Sequence, residues 1–172
     1  MQKSKSVKYS CGNFYIEEEY QLIKGHKAKV VRIVETDAVV ILPLTDSGKI
    51  ILERQYRPSI KKTLYELPAG HIRKGENKKE AVRRELGEET GYTAEDVSVM
   101  FHSYPTPGNN VAMHHFYLAR GLSKGKKHQD EDEVISNAFV SIAEAINMVR
   151  DNKIIDTKTI AALAYYKLFR CG

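Results

Sequence analysis

No tryptophan occurs in this chain of 172 residues, so a planar ligand would have to stack on tyrosine or phenylalanine instead. Cysteine is nearly absent as well. Cys11 and Cys171 lie near opposite ends, with neither the spacing of a zinc site nor that of a dithiol redox motif, which suits a reducing compartment. Long apolar runs are also missing. The longest, Ala38 to Leu44, is far too short to span a bilayer, and the opening MQKSKSVKYS lacks the apolar core of an export signal. The cytoplasm is therefore the expected location, with no membrane partner. A net charge of +5 mildly favours an anionic ligand. The basic residues are nevertheless scattered, densest at Lys61-Lys62, Lys78-Lys79 and Lys124 to Lys127, and no basic patch is interleaved with aromatics, so nucleic acid is not an expected partner.

What is present fits one globular domain over residues 1–172, since 42% hydrophobic and 28% charged content is ordinary for a chain able to bury a core. Linkers, repeats and low-complexity tracts are not found. Phe14, Ile16, Tyr20 and Leu22 alternate as in a half-buried strand, and a Lys24-Gly25-His26 turn leads into a second strand, Lys27 to Val34. Ala38 to Leu44 reads as a buried strand, turned by Asp46-Ser47-Gly48 into Lys49 to Gln55. Leu64 to Leu67 is a short strand entering Pro68-Ala69-Gly70. Further strands are expected near Val97 to Tyr104, His114 to Ala119 and Ile135 to Val140. Ser141 and Glu144 form a capping box for a helix through Val149, and Asp156 caps a last helix, Thr157 to Phe169, with Ile160, Leu163, Ala164 and Leu168 as its apolar face.

Between these elements lies an electrostatic oddity. A helix over about Lys78 to Thr90 would put Glu85, Glu88 and Glu89 on one face, where like charges repel. Glu88 and Glu89 also sit just before a glycine cap at Gly91, at the negative end of the helix dipole. Hard carboxylate oxygens gathered this way call for magnesium or manganese.

The same stretch resembles, position for position, the signature of the Nudix hydrolases: glycine, five residues, glutamate, seven residues, Arg-Glu, an apolar residue, any residue, Glu-Glu, any residue, glycine, an apolar residue. Gly70, Glu76, Arg84, Glu85, Leu86, Glu88, Glu89 and Gly91 match it, and Tyr92 fits the last place loosely. The resemblance implies an α/β/α sandwich with a mixed β-sheet, an N-terminal β-hairpin extension at about 12–34 and a catalytic core at about 35–172. It implies hydrolysis of a diphosphate joined to a further group, dependent on Mg2+ with Mn2+ as a substitute. Glu85 and Glu89 are then metal ligands, Glu88 shares or relays a metal, and a backbone carbonyl of Ala69 or Gly70 completes the coordination. Glu76 and Arg84 form an ion pair that fixes the loop against the helix.

Glu53-Arg54-Gln55-Tyr56-Arg57, Glu66-Leu67-Pro68-Ala69-Gly70 and Pro107 within Thr106-Pro107-Gly108 look like the ADP-ribose pyrophosphatase and nucleoside-diphosphate-sugar branch. This branch implies a small nucleotide-sugar substrate, with Pro107 near it and Arg57 gripping phosphate in bidentate fashion. Glu66 either accepts from ribose hydroxyls or pairs with Arg57. The chain departs from the branch at Ala112, where a glutamate is often found. Within the acidic run Asp130 to Glu133, the resemblance selects Glu133 as general base. His114 and His115 alternate on a strand and are assigned core or surface roles. The branch also implies a homodimer with exchanged N-terminal strands, in which Phe14 reaches the partner's base pocket. Two other readings stay open, a housecleaning pyrophosphatase for nucleoside triphosphates or dinucleotides and a sensor that binds ADP-ribose without cleaving it.

Overall fold

The computed structural model describes residues 6–12, 14–125 and 135–170. Three antiparallel strands open the chain in spatial order β1 (Ser6–Cys11), β2 (Phe14–Ile23) and β3 (His26–Glu35). Lys24 and Gly25 make the β2–β3 turn with positive φ at both positions, 50° and 81°, which matches the twist of a tight hairpin. The hairpin follows the sequence pattern. β1 does not: it is exposed along its whole length, and its strand state comes from pairing with β2.

The buried face of β2 is the opposite of the one expected. Tyr20 and Leu22 are 46% and 73% exposed, whereas Glu17 and Glu19 are buried at 6% and 3%. Arg32 across the hairpin explains the inversion, because its Nε donates to Glu17 at 2.5 Å and its Nη2 lies 3.0 Å from Glu19. Paired in this way, the two carboxylates tolerate burial. The apolar face, with Tyr20 and Leu22, stays exposed among the described residues.

The rest of the molecule is built on β4 (Ala38–Pro43), apolar at every position and buried on both faces. Next come β5 (Lys49–Arg57), β6 (Lys62–Glu66), β7 (Ala69–His71), α1 (Lys78–Glu85), β8 (Tyr92–Ser103), β9 (His114–Lys124), β10 (Ile135–Ser141), α2 (Ile142–Arg150) and α3 (Thr157–Phe169). One sheet has the order β7-β4-β9-β8 and is mixed, since β4 and β9 run parallel while its other pairs are antiparallel. A second sheet has the order β10-β5-β6. Alternation along β4 divides the core. Val39 and Ile41 meet Ala81, Val82 and Leu86 of the helical segment after β7, while Val40 and Leu42 meet Ile50, Leu52, Leu163 and Tyr166. This is the expected sandwich.

Two helices differ in detail from their sequence patterns. The glutamate helix is α-helical only to Glu85 and continues as a π-helical turn, Leu86–Thr90, closed by Gly91 in the left-handed conformation at φ 77°. Such turns often mark functional sites. In α3 the buried residues are Thr159, Ala162, Leu163 and Tyr166, while Ala164 is exposed and Leu168 is 72% exposed. A polar residue sets this rotation. The Thr159 hydroxyl donates to Asp156 at 2.6 Å and accepts the Leu67 N–H at 2.8 Å, so it is buried with its polar atoms paired. Among the described residues no helix is long and apolar enough to cross a membrane.

Candidate active site

α1 starts from a strong cap. The Asn77 side chain accepts from the Lys79 and Glu80 backbone N–H groups, and the Glu80 carboxylate accepts from the Asn77 N–H in return. This fixes the helix that presents Arg84 and Glu85. Arg84 is the hub of the site. Its Nε and Nη2 hold Glu76 at 2.8 and 3.0 Å, so the pair expected from the sequence is formed and bidentate. Its Nη1 reaches Glu85 at 2.5 Å and Glu88 at 2.9 Å, and Nη2 also donates to the His71 carbonyl at 3.0 Å. One guanidinium thus ties β7, the following loop and the glutamate face together. The Arg84 hydrogen bond holds the Glu76 carboxyl below the usual carboxylate range.

Burial pushes the Glu85 carboxyl above that range, against the opposing pull of Arg84. Glu89 is 6% exposed and accepts the Ala69 N–H at 2.9 Å. Gly70 completes the cradle, since a Cβ built there would lie 2.1 Å from Glu85 Oε1. A buried carboxyl held partly against its charge, two more beside it and a glycine that leaves room only for oxygen form a donor set suited to a hard divalent cation. As the side chains stand, Glu85 and Glu88 face Arg84, and no three acidic, histidine or cysteine groups among the described residues converge on one point. The π-helical turn is anchored from the second sheet, where the Asn137 amide donates to the Thr90 carbonyl at 2.7 Å.

A cavity of about 530 Å³ opens onto this face and is lined by Glu85, Glu88, Glu89 and Arg84. Arg57, Lys158 and His114 also line it, together with Glu35, His71 and Arg73. Arg57 donates to Glu66 through Nε at 2.8 Å and Nη2 at 2.7 Å, and Lys158 also contacts Glu66, which is 2% exposed. Glu66 therefore takes the pairing role of the two open in the sequence and is spent on cations rather than left for a ribose. Burial raises its pKa, but the Arg57 hydrogen bond and Lys158 outweigh that and leave the carboxyl below its ordinary range. Arg57 keeps Nη1 outside this pair.

Phe14 and Pro107 do not line the cavity, and Phe14 is 37% exposed beside Tyr9. Glu133 lies outside the described residues. Five polar residues of the cavity escaped sequence reasoning, and two of them, His71 and Arg73, stand at unspecified places within the signature stretch. Lys158 stands in the polar run Asp156 to Thr159, which reads only as a helix cap. His114, assigned to core or surface, faces the cavity, and burial followed by the nearby charge of Lys158 keeps its imidazole biased toward the neutral form. Glu35 ends β3 and reads as an ordinary strand terminus. His115, by contrast, is buried at 3% between Asp37 at 2.9 Å and His102 at 3.0 Å.

The sequence family described as the NUDIX domain matches residues 34–163. An ADP-ribose pyrophosphatase of Bacillus subtilis is 36% identical over 153 residues, covering 88% of this chain and 83% of that protein. A methanol dehydrogenase activator of Bacillus methanolicus is 33% identical with the same coverage. A GDP-mannose pyrophosphatase of Yersinia enterocolitica is 34% identical over 140 residues, covering 76% of this chain and 73% of that one. Among solved structures, one described as an ADP compounds hydrolase matches with a TM-score of 0.85 at 23% identity, over 97% of this chain and 94% of the other.

Proposed function

Because this chain belongs to the NUDIX family of hydrolases, we propose that it cleaves the diphosphate bridge of ADP-ribose or a related nucleoside-diphosphate sugar, using magnesium or, in its place, manganese. One observation carries the reading: a single cavity is lined both by the three glutamates and by Arg57 and Lys158. Relatives named for ADP-ribose and for GDP-mannose support the substrate class. Glu85 and Glu89, with Glu88 beside them and a carbonyl of Ala69 or Gly70, are the groups to hold the cation. A bound divalent ion supplies neutralisation of phosphate charge and a water of lowered pKa.

The remaining work falls to the chain itself. Arg57, oriented by its two bonds to Glu66, offers Nη1 to a phosphate oxygen, and Lys158 adds positive charge from α3. Water attacks one phosphorus, and the bridging P–O bond breaks with its electron pair passing to the leaving phosphate. A carboxylate takes the proton, with Glu133 the candidate. The products are a nucleoside monophosphate and a sugar phosphate. The test is release of phosphomonoester from a panel of ADP-ribose, GDP-mannose, ADP-glucose, ATP and dinucleoside polyphosphates. Turnover confined to the last two would replace this reading with a housecleaning pyrophosphatase, and tight ADP-ribose binding without turnover would replace it with a sensor.

Arg57→Ala is expected to raise KM while leaving the metal requirement unchanged. A hydrogen bond to a charged group contributes about 1.5–3 kcal/mol, so the rise is roughly ten- to a hundredfold. Steady-state kinetics with magnesium varied independently of substrate decide it. A lower kcat at unchanged KM would move Arg57 onto transition-state charge instead.

The functional unit is a homodimer joined through the N-terminal sheet, in the cytoplasm, where the exposed thiol of Cys11 stays reduced. The support is an apolar face left exposed among the described residues, with Tyr9, Tyr20, Leu22 and Val31 at 54%, 46%, 73% and 47% exposure. Phe14, next to Tyr9, is the residue offered to the partner's base pocket. Light scattering should report a dimer at micromolar concentration, and deleting residues 1–23 should abolish both the dimer and activity. A fully active monomer would refute it.

A further inference from the structure

The register of the mixed sheet builds a notch that the diphosphate chemistry does not use. Ala38 on β4 pairs with His71 on β7 and with His114 on β9. Directly opposed residues on neighbouring strands project to the same face. Two imidazoles therefore flank a methyl group, and the small residue leaves a recess between them. Glu35, three residues upstream, closes it with its carboxylate 3.9 Å from His71 Nε2. That carboxylate is aimed rather than loose. The Asn110 amide nitrogen donates to it at 2.5 Å, while the Asn110 oxygen is committed to the Ala112 N–H at 2.9 Å, so the amide cannot turn round. All four residues of the notch line the catalytic cavity.

We infer that Glu35, His71 and His114 form a hydroxyl-recognising subsite that selects diphosphates whose distal group is a sugar. This rests on the reading that the cavity holds a diphosphate compound. His114 offers one donor and one acceptor, His71 presents Nε2 as an acceptor because its Nδ1 lies 3.1 Å from the Thr36 carbonyl, and a carboxylate accepts only. Together they match the paired donor and acceptor capacity of neighbouring sugar hydroxyls. They do not match a further phosphate, which has no proton to give and which the Glu35 charge repels. The notch thus separates a nucleoside-diphosphate sugar from a nucleoside triphosphate, a distinction that the glutamate face cannot make, because both substrates present the same diphosphate to it.

The experiment compares ADP-ribose and GDP-mannose with the ethyl ester of ADP, which keeps the diphosphate and lacks distal hydroxyls. A site built to bond hydroxyls rejects an analogue without them strongly, so the wild-type protein should prefer at least one sugar compound by roughly a hundredfold or more in kcat/KM. Glu35→Ala and His114→Leu should each cut kcat/KM for that sugar compound about tenfold or more and leave the ethyl ester within about twofold. Equal losses on both substrates would mean a structural role, and no loss on the sugar compound would mean no contact; either result overturns the subsite. If the wild-type protein turns over none of the three, the hydrolase reading fails separately. The subsite is then judged by calorimetric binding of ADP-ribose against ADP, where Glu35→Ala must weaken only the former.

Discussion

Glu89→Gln, and separately Glu85→Gln, should each lower turnover roughly a hundred- to a thousandfold in the presence of magnesium, with the fold intact. In the first variant the new amide oxygen can still accept the Ala69 N–H that Glu89 accepts at 2.9 Å, so the contact with β7 survives and only the charge is lost. Removing one preorganised electrostatic contact of this kind typically costs about 2.7–4 kcal/mol in the transition state. Chelation of divalent ions should be at least as damaging and should be reversed by adding magnesium back. Near-normal turnover in both variants would remove the glutamate face from the chemistry altogether. Circular dichroism and thermal melting separate a chemical loss from unfolding.

Gly70→Ala should cost roughly a hundredfold in activity while costing little in stability. An added methyl would overlap the end of the Glu85 side chain, whose carboxyl carbon would lie 2.2 Å away. A long side chain can swing aside, so the backbone has no need to move. What it cannot do is swing aside and keep the oxygen where a cation would need it, and displacement of a catalytic group by about 1 Å commonly costs a hundredfold. Full activity in Gly70→Ala would show that the observed Glu85 position is not the working one. A large fall in melting temperature would show instead that β7 cannot adjust.

The parts of this site that were legible in the sequence are those made by local spacing. Gly70, Glu76, Arg84 and the three glutamates lie on β7, the loop after it and one helical segment, so their offsets encode their meeting in space. The Arg57–Glu66 contact was legible as one of two options, because the residues flank a single strand turn. His114, Glu35 and Lys158 were not legible. They reach the cavity through the pairing of β4 with β9, the end of a separate sheet and the start of the last helix, and no short window of sequence carries that information. The inverted face of β2 and the rotated face of α3 failed for a different reason. Periodicity ranks residues by polarity, but on β2 and α3 a polar residue with committed partners took the inner place, Glu17 and Glu19 through Arg32 and Thr159 through Leu67 and Asp156.

The Lys158 contact with Glu66 spans 92 residues and bears on the order in which the protein becomes competent during synthesis. A domain generally folds as a unit, while synthesis delivers its residues N-terminal first. A nascent chain ending just before Asp156 already contains every residue of the glutamate face, all three sheets and Arg57, yet it lacks the lysine that shares the Glu66 carboxylate and the threonine that satisfies Leu67. The proposed cation ligands thus all precede the closing helix, which supplies Lys158 as the last of the charges beside them. On the proposed mechanism the closing helix is therefore the step that finishes the anion site that Arg57 begins.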